Sequence, residues 1–255
     1  MDEADDKEFA KTLAKGLMVL EAFDRETPGF TVAEIARRFG FNRAVARRIL
    51  RTLEILGYVR QDRREYRLAP RVLRLGYGYL ASNRVGNLIH PILKQVTDEI
   101  DEPCSMGVLD GDEIVYIAHS PGEQRYFSVG LTVGSRLPLL TTAIGRALVA
   151  FLPENQRLEL VRTAPLTALT ARTVVDRERL AAMIEDVRLA GYAFVDNEVE
   201  IGLTSVGVPV FAPDGAVAGA INIVVNNGRV DETRLRGEYV TCLKRCAARL
   251  EAALG

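Results

Sequence analysis

TVAEIARRFGFNRAVARRILRTLEILGYVRQDRREYRL, residues 31–68, decides how the first part of this chain folds. Thr31 with Glu34 three residues on is a capping box, which satisfies the free amides of a helix start and predicts a helix over VAEIARRF. Gly40 ends that helix, because glycine adopts the left-handed backbone that a helix C-terminus favours. Asn42 then caps a second helix, RAVARRILRTLEIL, which stops at Gly57. Two short helices joined by so tight a turn form a helix-turn-helix. The first helix carries Ala33, Ile35, Ala36 and Phe39. In the second, Val45, Ile49, Leu53 and Leu56 recur at helical intervals and are expected to face inward. Beyond Gly57, Tyr58, Val59, Tyr66 and Leu68 flank a polar tip, which predicts a two-stranded hairpin, or wing. Upstream, TLAKGLMVLEAFD sets Leu13, Leu17, Leu20 and Phe23 on one side of a helix that Thr27-Pro28-Gly29 breaks.

Charge is distributed unevenly along the chain. Residues 31–74 hold twelve arginines against four acids, a balance of +8, whereas residues 81–255 stand at -5 and the whole chain at -1. A basic segment on an acidic chain points to a polyanionic partner for that segment alone. Charge by itself leaves open a solvated basic face; the caps, the glycine turn and the wing favour DNA. The N-terminal part of the second helix of such a motif enters the major groove. That makes Arg43, Ala44 and Arg47 the candidates for base edges, since Arg grips guanine O6 and N7 through two bonds and Ala touches a thymine methyl. Arg48 and Arg51 lie further along, nearer phosphates. Arg63 and Arg64 at the wing tip suit phosphate or minor-groove contact, and Thr31 offers an amide and a hydroxyl to phosphate.

From Pro70 to about Asn83 the chain reads as a helical linker. GYGYLA at 76–81 imitates a dinucleotide-binding glycine pattern but has no strand before it, so that reading is rejected; Tyr77 and Tyr79 are expected to pack on a partner chain or on the flanking domains. VGNLIHPILKQVTDEID is a helix interrupted at Pro91. CSMGVLDGDEIVYIAHS is a hairpin turning at Asp110-Gly111-Asp112. RYFSVG is a third strand, residues 133–136 a loop, and TTAIGRALVAFL a short buried helix with a threonine cap. A further helix runs from Asp176 to Gly191. GYAFVD, TSVGVPVF and AVAGAINIVV are three more strands, the last two joined at Pro213-Asp214-Gly215, and a long helix from about Asp231 closes the chain. Hairpins with segregated helices make an α+β domain around an antiparallel sheet. The expected organisation is residues 1–69 for DNA binding, 70–84 as linker helix and 85–255 as the second domain.

Several function classes are excluded. At 48% hydrophobic and 26% charged residues the chain is globular. Its longest apolar run, AVAGAINIVV at 216–225, is half the roughly 20 residues a membrane span needs, so no membrane partner is expected. The acidic start MDEADDKEFAK lacks the apolar core of a secretory signal, and cytoplasmic residence is expected. Cys104, Cys242 and Cys246 contain no C-x-x-C pair, and the only histidines are His90 and His119; no disulfide framework and no metal site are expected. Cys242 and Cys246, four apart on a helix, read as small buried hydrophobes. There is no nucleophile elbow, phosphate loop or H-E-x-x-H. Neither an enzyme nor a cofactor is expected, and His119 reads as a polar residue at a strand end. Thr141, Thr142, Thr204, Ser205 and Asn222 interrupt apolar segments. They are either caps and strand-end hydroxyls or the few placed polar groups of a ligand cleft.

Four blocks, KGLMVLEAF, TVAEIARRFGFNRAVARRILRTLEILGYV, LPLLTTAIGRALVAF and GYAFVDNEVEIGLTSVGVPVFAPDGAVAGAINI, resemble in order the IclR family of bacterial transcriptional regulators. FSVGLTVGSRLP followed by the G-R-A-L helix looks like the branch that governs protocatechuate and 4-hydroxybenzoate breakdown through the β-ketoadipate pathway. The resemblance implies a winged helix-turn-helix, a linker helix and a GAF-like effector domain, assembled with itself as a dimer or dimer of dimers. It also implies operator double-stranded DNA and a small aromatic acid as partners, with a sugar acid, glyoxylate or another small metabolite as the alternative effector. Family effector contacts map here onto Ala143, Ile144, Val195, Ser205, Asn222 and Val224, with Thr142 beside them. Val195 replaces an Asp of some relatives, and Asn222 and Val224 replace serines, a more apolar wall that suits an aromatic acid. Leu140-Thr141-Thr142 stands where that branch often reads Cys-Thr-Ser. Arg136, Arg125 and Tyr126 are the candidates for the ligand's carboxylate or ring, because Arg pairs with carboxylates through two bonds.

Overall fold

The computed structural model describes residues 8–24, 26–82, 85–122 and 130–254. Its first elements follow from the caps. Thr31 Oγ1 accepts from the Glu34 amide at 3.3 Å, and the Thr31 amide donates to Glu34 Oε2 at 2.8 Å. These bonds from Thr31 also hold the Glu34 carboxyl below its ordinary pKa. They start helix α2 (Val32–Phe39), which follows α1 (Lys11–Glu21). Gly40 ends α2 at φ 64°, and Asn42 Oδ1 accepts from the Ala44 amide at 2.8 Å to open α3 (Arg43–Ile55). Strands β1 (Val59–Asp62) and β2 (Glu65–Leu68) form the hairpin, and an isolated bridge from Phe30 to Tyr66 ties it to the start of α2.

The core face of α3 differs from the expected one. Ala46 and Leu50 are fully buried with Ile49 and Leu53, whereas Val45 is half-buried and Leu56 is 48% exposed. The helix packs on both α1 and α2, so its buried arc is centred one position round, where small Ala46 permits close approach. On α2, Ile35 and Ala36 are buried and Ala33 is exposed. On α1 it is Val19 that is buried, while Leu13 and Leu17 remain 64% and 46% exposed.

The chain divides into two compact units, Met1–Tyr79 and Leu80–Gly255. The division falls inside α4 (Leu73–Ser82), which a 3₁₀ turn at Pro70–Val72 precedes. GYGYLA lies within this helix, so it forms no phosphate loop. Tyr77 and Tyr79 are 73% and 46% exposed.

In the second unit a π-helical turn, Val85–Ile89, runs into α5 (His90–Ile100). Pro91 has no amide to donate and crowds the carbonyl four residues back; the widened turn absorbs both defects. Strands β3 (Cys104–Asp110) and β4 (Glu113–Ser120) turn at Gly111, φ 66°. The strand expected at RYFSVG falls almost entirely on residues 123–129, outside the described residues. The third strand here is β5 (Arg136–Pro138), so Arg136 starts a strand where a loop was expected. Helices α6 (Ala143–Ala150), α7 (Glu154–Thr163) and α8 (Arg177–Ala190) follow, then β6 (Ala193–Asp196), β7 (Leu203–Phe211) and β8 (Val217–Asn226). A single turn α9 (Glu232–Arg234) and a π-helical stretch, Leu235–Tyr239, lead into α10 (Val240–Leu254).

The six strands form one antiparallel sheet in the order β5-β4-β3-β8-β7-β6. Val206, Val208, Ile221 and Ile223 pack from one face onto α5 and α10; Ile114, Ala193 and Ala220 pack from the other onto α6 and α8. The three cysteines are buried in the first of these layers, where desolvation raises the thiol of Cys246 to about 12. Among the described residues no helix is long and apolar enough to cross a membrane.

Candidate functional site

Two sites emerge, one in each unit. In the first, the starts of α2 and α3 and the hairpin border a groove lined by Thr31, Ala33, Arg43, Ala44, Arg47, Gln61, Arg64 and Tyr66. Five of the expected DNA-contact residues thus share one surface. Arg48 and Arg51 lie elsewhere on α3. Arg48 borders an apolar groove beside α1, and Arg51 pairs with Glu54 at 2.7 Å. Arg63 occupies the hairpin turn in left-handed conformation, φ 56°, with its carbonyl accepting from Gln61 Nε2 at 3.0 Å. Among the described residues Arg43, Arg47 and Arg64 are in no ion pair, so their guanidinium donors are available. Ala33, Gln61 and Tyr66 were not anticipated. Gln61 and Tyr66 are register partners across the hairpin, a pairing visible once its turn is placed at Arg63-Arg64.

The second site lies between the first turn of α6 and the sheet. Tyr116, Leu137, Thr142, Ala143, Val195, Val199, Leu203, Thr204, Ser205, Asn222 and Val224 line it. The closeness of α6 to the sheet depends on Gly207, where a Cβ would lie 2.7 Å from the Ala143 carbonyl. The described lining leaves about 20 Å³ free, room for about one water molecule.

Of the expected effector residues, Thr142, Ala143, Val195, Ser205, Asn222 and Val224 come together here. Ile144 does not line the pocket: it is fully buried and packs towards Gly107. Nor does Arg136, whose exposed guanidinium donates to Glu113 at 2.6 Å and to Asp110 at 2.7 Å. Pairing β5 with β4 brings these acids alongside it, which spends its two donor edges away from the pocket. Tyr126, like Arg125, lies outside the described residues.

No charged side chain lines the pocket among the described residues. Its polar groups form a short relay. Asn222 Nδ2 donates to Ser205 Oγ at 2.9 Å, and Ser205 Oγ donates to the Ile223 carbonyl at 2.9 Å. Asn222 Oδ1 is buried without a hydrogen-bond partner among the described residues. Burial pushes the Tyr116 phenol well above its usual pKa, and the amide nitrogen of Asn222, a donor to the phenolate, offsets part of that. Thr142 Oγ1 accepts from the Gly145 amide at 3.0 Å, whereas the amides of Ala143 and Ile144, the first two residues of α6, have no intrahelical partner. Thr204 donates to Asp196 Oδ1 at 2.6 Å. Tyr116, Leu137, Val199 and Leu203 were not read from the sequence. A bulge between Met106 and Gly107 shifts the β3–β4 register, which sets Tyr116 opposite Gly107 and on the same face as His119, against simple alternation.

The pattern of these two sites coincides with known domain families. Residues 12–63 match the IclR helix-turn-helix domain and residues 77–252 the bacterial transcriptional regulator IclR C-terminal domain. The chain belongs to the IclR family. It is 40% identical over 238 residues to the Pca regulon regulatory protein of Pseudomonas putida, covering 93% of this chain and 82% of that one. It is 31% identical to the p-hydroxybenzoate hydroxylase transcriptional activator of Acinetobacter baylyi, covering 98% and 93% of the two chains. A solved transcriptional regulator from Rhodococcus sp. RHA1 superimposes with a TM-score of 0.82 at 36% identity, over 96% of this chain and 98% of that one. This IclR-family chain is therefore a transcriptional regulator rather than an enzyme, with a helix-turn-helix followed by a hairpin and an α+β C-terminal domain.

Proposed function

We propose that this regulator binds operator DNA through the α2–α3–hairpin groove and that a hydroxylated aromatic acid entering the sheet pocket changes that binding. The carrying observation is Asn222 Oδ1, a buried acceptor without a partner among the described residues, in a pocket whose described lining is uncharged and mostly apolar. A buried acceptor without a donor costs about 1–3 kcal/mol, and a ligand hydroxyl supplies that donor. The ligand's carboxylate meets the free amides at the start of α6, where the helix dipole favours negative charge. Its ring lies against Val195, Leu203 and Val224. The names of the two curated relatives, one for the Pca regulon and one for p-hydroxybenzoate hydroxylase, agree with an aromatic acid.

Entry of such a ring requires the pocket walls to separate. The ligand then binds the open arrangement better than the closed one, and only such a difference in affinity shifts an equilibrium. In this reading residues 1–69 contact DNA, 70–84 are the linker and 85–255 hold the effector, in a cytoplasmic protein. Base edges fall to Arg43, Ala44 and Arg47, and phosphates to Thr31, Arg48, Arg51, Arg63 and Arg64. Self-association sets two recognition helices against half-sites about one DNA turn apart. The exposed leucines 13, 17, 56 and 75, which line an apolar groove of the first unit, are the surface it covers.

Calorimetric titration with 4-hydroxybenzoate, protocatechuate, benzoate and glyoxylate tests the effector class. The expected order places both hydroxylated acids ahead of benzoate, with glyoxylate not bound. Binding of glyoxylate alone contradicts the proposal.

A further inference from the structure

Arg146 is 1% exposed and faces Glu198, itself 4% exposed. The pair is bidentate, Nη1 to Oε1 at 2.8 Å and Nη2 to Oε2 at 2.7 Å. Arg146 Nε also donates to the Leu140 carbonyl at 2.8 Å. Glu198 Oε2 accepts from the Val174 amide at 2.9 Å, and the Glu198 carbonyl accepts from Thr173 Oγ1 at 2.7 Å. Desolvating two charges consumes most of what such a pair gains, so a buried ion pair is weak evidence of a stabilising role. Its position is more informative. Arg146 holds the turn before α6, whose Thr142 and Ala143 line the sheet pocket, and Glu198 adjoins Val199 on the segment that reaches Leu203, both of which line the same pocket. One guanidinium therefore spans two separate walls.

We infer that Arg146 and Glu198 are positioning residues of the effector pocket: the pair fixes the first turn of α6 relative to the 198–203 segment, and with it the placement of the groups that meet the ligand. This rests on the sheet pocket being the effector site. Neither side chain touches the ligand; their role is geometric, and displacements near 1 Å in such sites cost large factors.

The test is the double variant R146M/E198Q, which leaves no buried charge and keeps an oxygen acceptor for the Val174 amide. Two quantities are read in the full-length chain: the 4-hydroxybenzoate Kd by calorimetry, and amide hydrogen exchange at Gly145, Gly202 and Leu203. The expected result is a Kd raised at least tenfold and faster exchange at those three amides. Exchange in α10 and operator affinity without effector should stay within twofold of wild type. R146K, which keeps the charge but not the fork, falls between. A Kd within twofold of wild type overturns the inference. So does unchanged exchange at the three amides, and that readout stands even if the wild-type chain binds no hydroxybenzoate, a result that sinks the proposed effector class alone.

Discussion

Asn222 concentrates the chemistry of the pocket in one side chain: its amide nitrogen serves Ser205, and its oxygen serves nothing among the described residues. Asn222→Leu keeps a similar volume and removes the acceptor. The variant should lose most of the preference for 4-hydroxybenzoate over benzoate, a change of roughly tenfold for one hydrogen bond of about 1–1.5 kcal/mol. Parallel calorimetric titrations read this ratio, and an unaltered preference would show that the ligand hydroxyl is recognised elsewhere. His119 offers a second residue-scale prediction. Its Nδ1 lies 2.9 Å from Ser105 Oγ, and burial first, then His90, holds its pKa below the ordinary 6.5. The unfolded chain thus takes up a proton there at pH values where the folded chain does not. The stability this site supports is present above pH 6.5 and declines as pH falls below it. Between pH 7 and 5 the unfolding midpoint of wild type should fall more steeply than that of His119→Gln; parallel curves in scanning calorimetry would refute this.

At the scale of elements, the proposed function divides the reading of DNA between α3 and the hairpin. Arg47→Ala should cost about 1–3 kcal/mol on the correct operator and relax base preference. Arg64→Ala should instead weaken binding to all sequences and lower the salt slope by about 1. Anisotropy titrations on operator and scrambled duplexes at several salt concentrations separate the two behaviours. Identical behaviour of the two variants would contradict the division. The elements also mark where sequence was readable. Thr31, Glu34, Gly40 and Asn42 act within three residues of their targets, so the helix-turn-helix was legible from caps alone. The burial arc of α3 was not, because it depends on two neighbouring helices rather than on the periodicity of α3 itself. β5 is three residues long, too short for any alternation. In α7, ENQRLELVRT buries only Val161, so no apolar stripe announces it. Five of the pocket residues, Ala143, Val195, Ser205, Asn222 and Val224, followed from family resemblance, and Thr142 and Thr204 from polar residues interrupting apolar segments. Tyr116 depended on a bulge, and the pairing of Arg136 on acids 23 and 26 residues away in sequence.

Across the whole molecule, charge assigns the two tasks to different parts of the chain. Residues 31–74 carry +8 and residues 81–255 carry -5, so DNA attracts the first and repels the second. A pocket with room for about one water must open to admit a ring, which makes ligand entry and structural change the same event. The central claim is that this event alters operator affinity. Anisotropy binding to the intergenic DNA upstream of the regulator's own gene, with and without 4-hydroxybenzoate, protocatechuate or glyoxylate, tests it most directly. The predicted result is sequence-specific binding whose affinity changes several-fold with a hydroxylated aromatic acid and not with glyoxylate. Specific binding that glyoxylate alters and both aromatic acids leave unchanged would contradict the account.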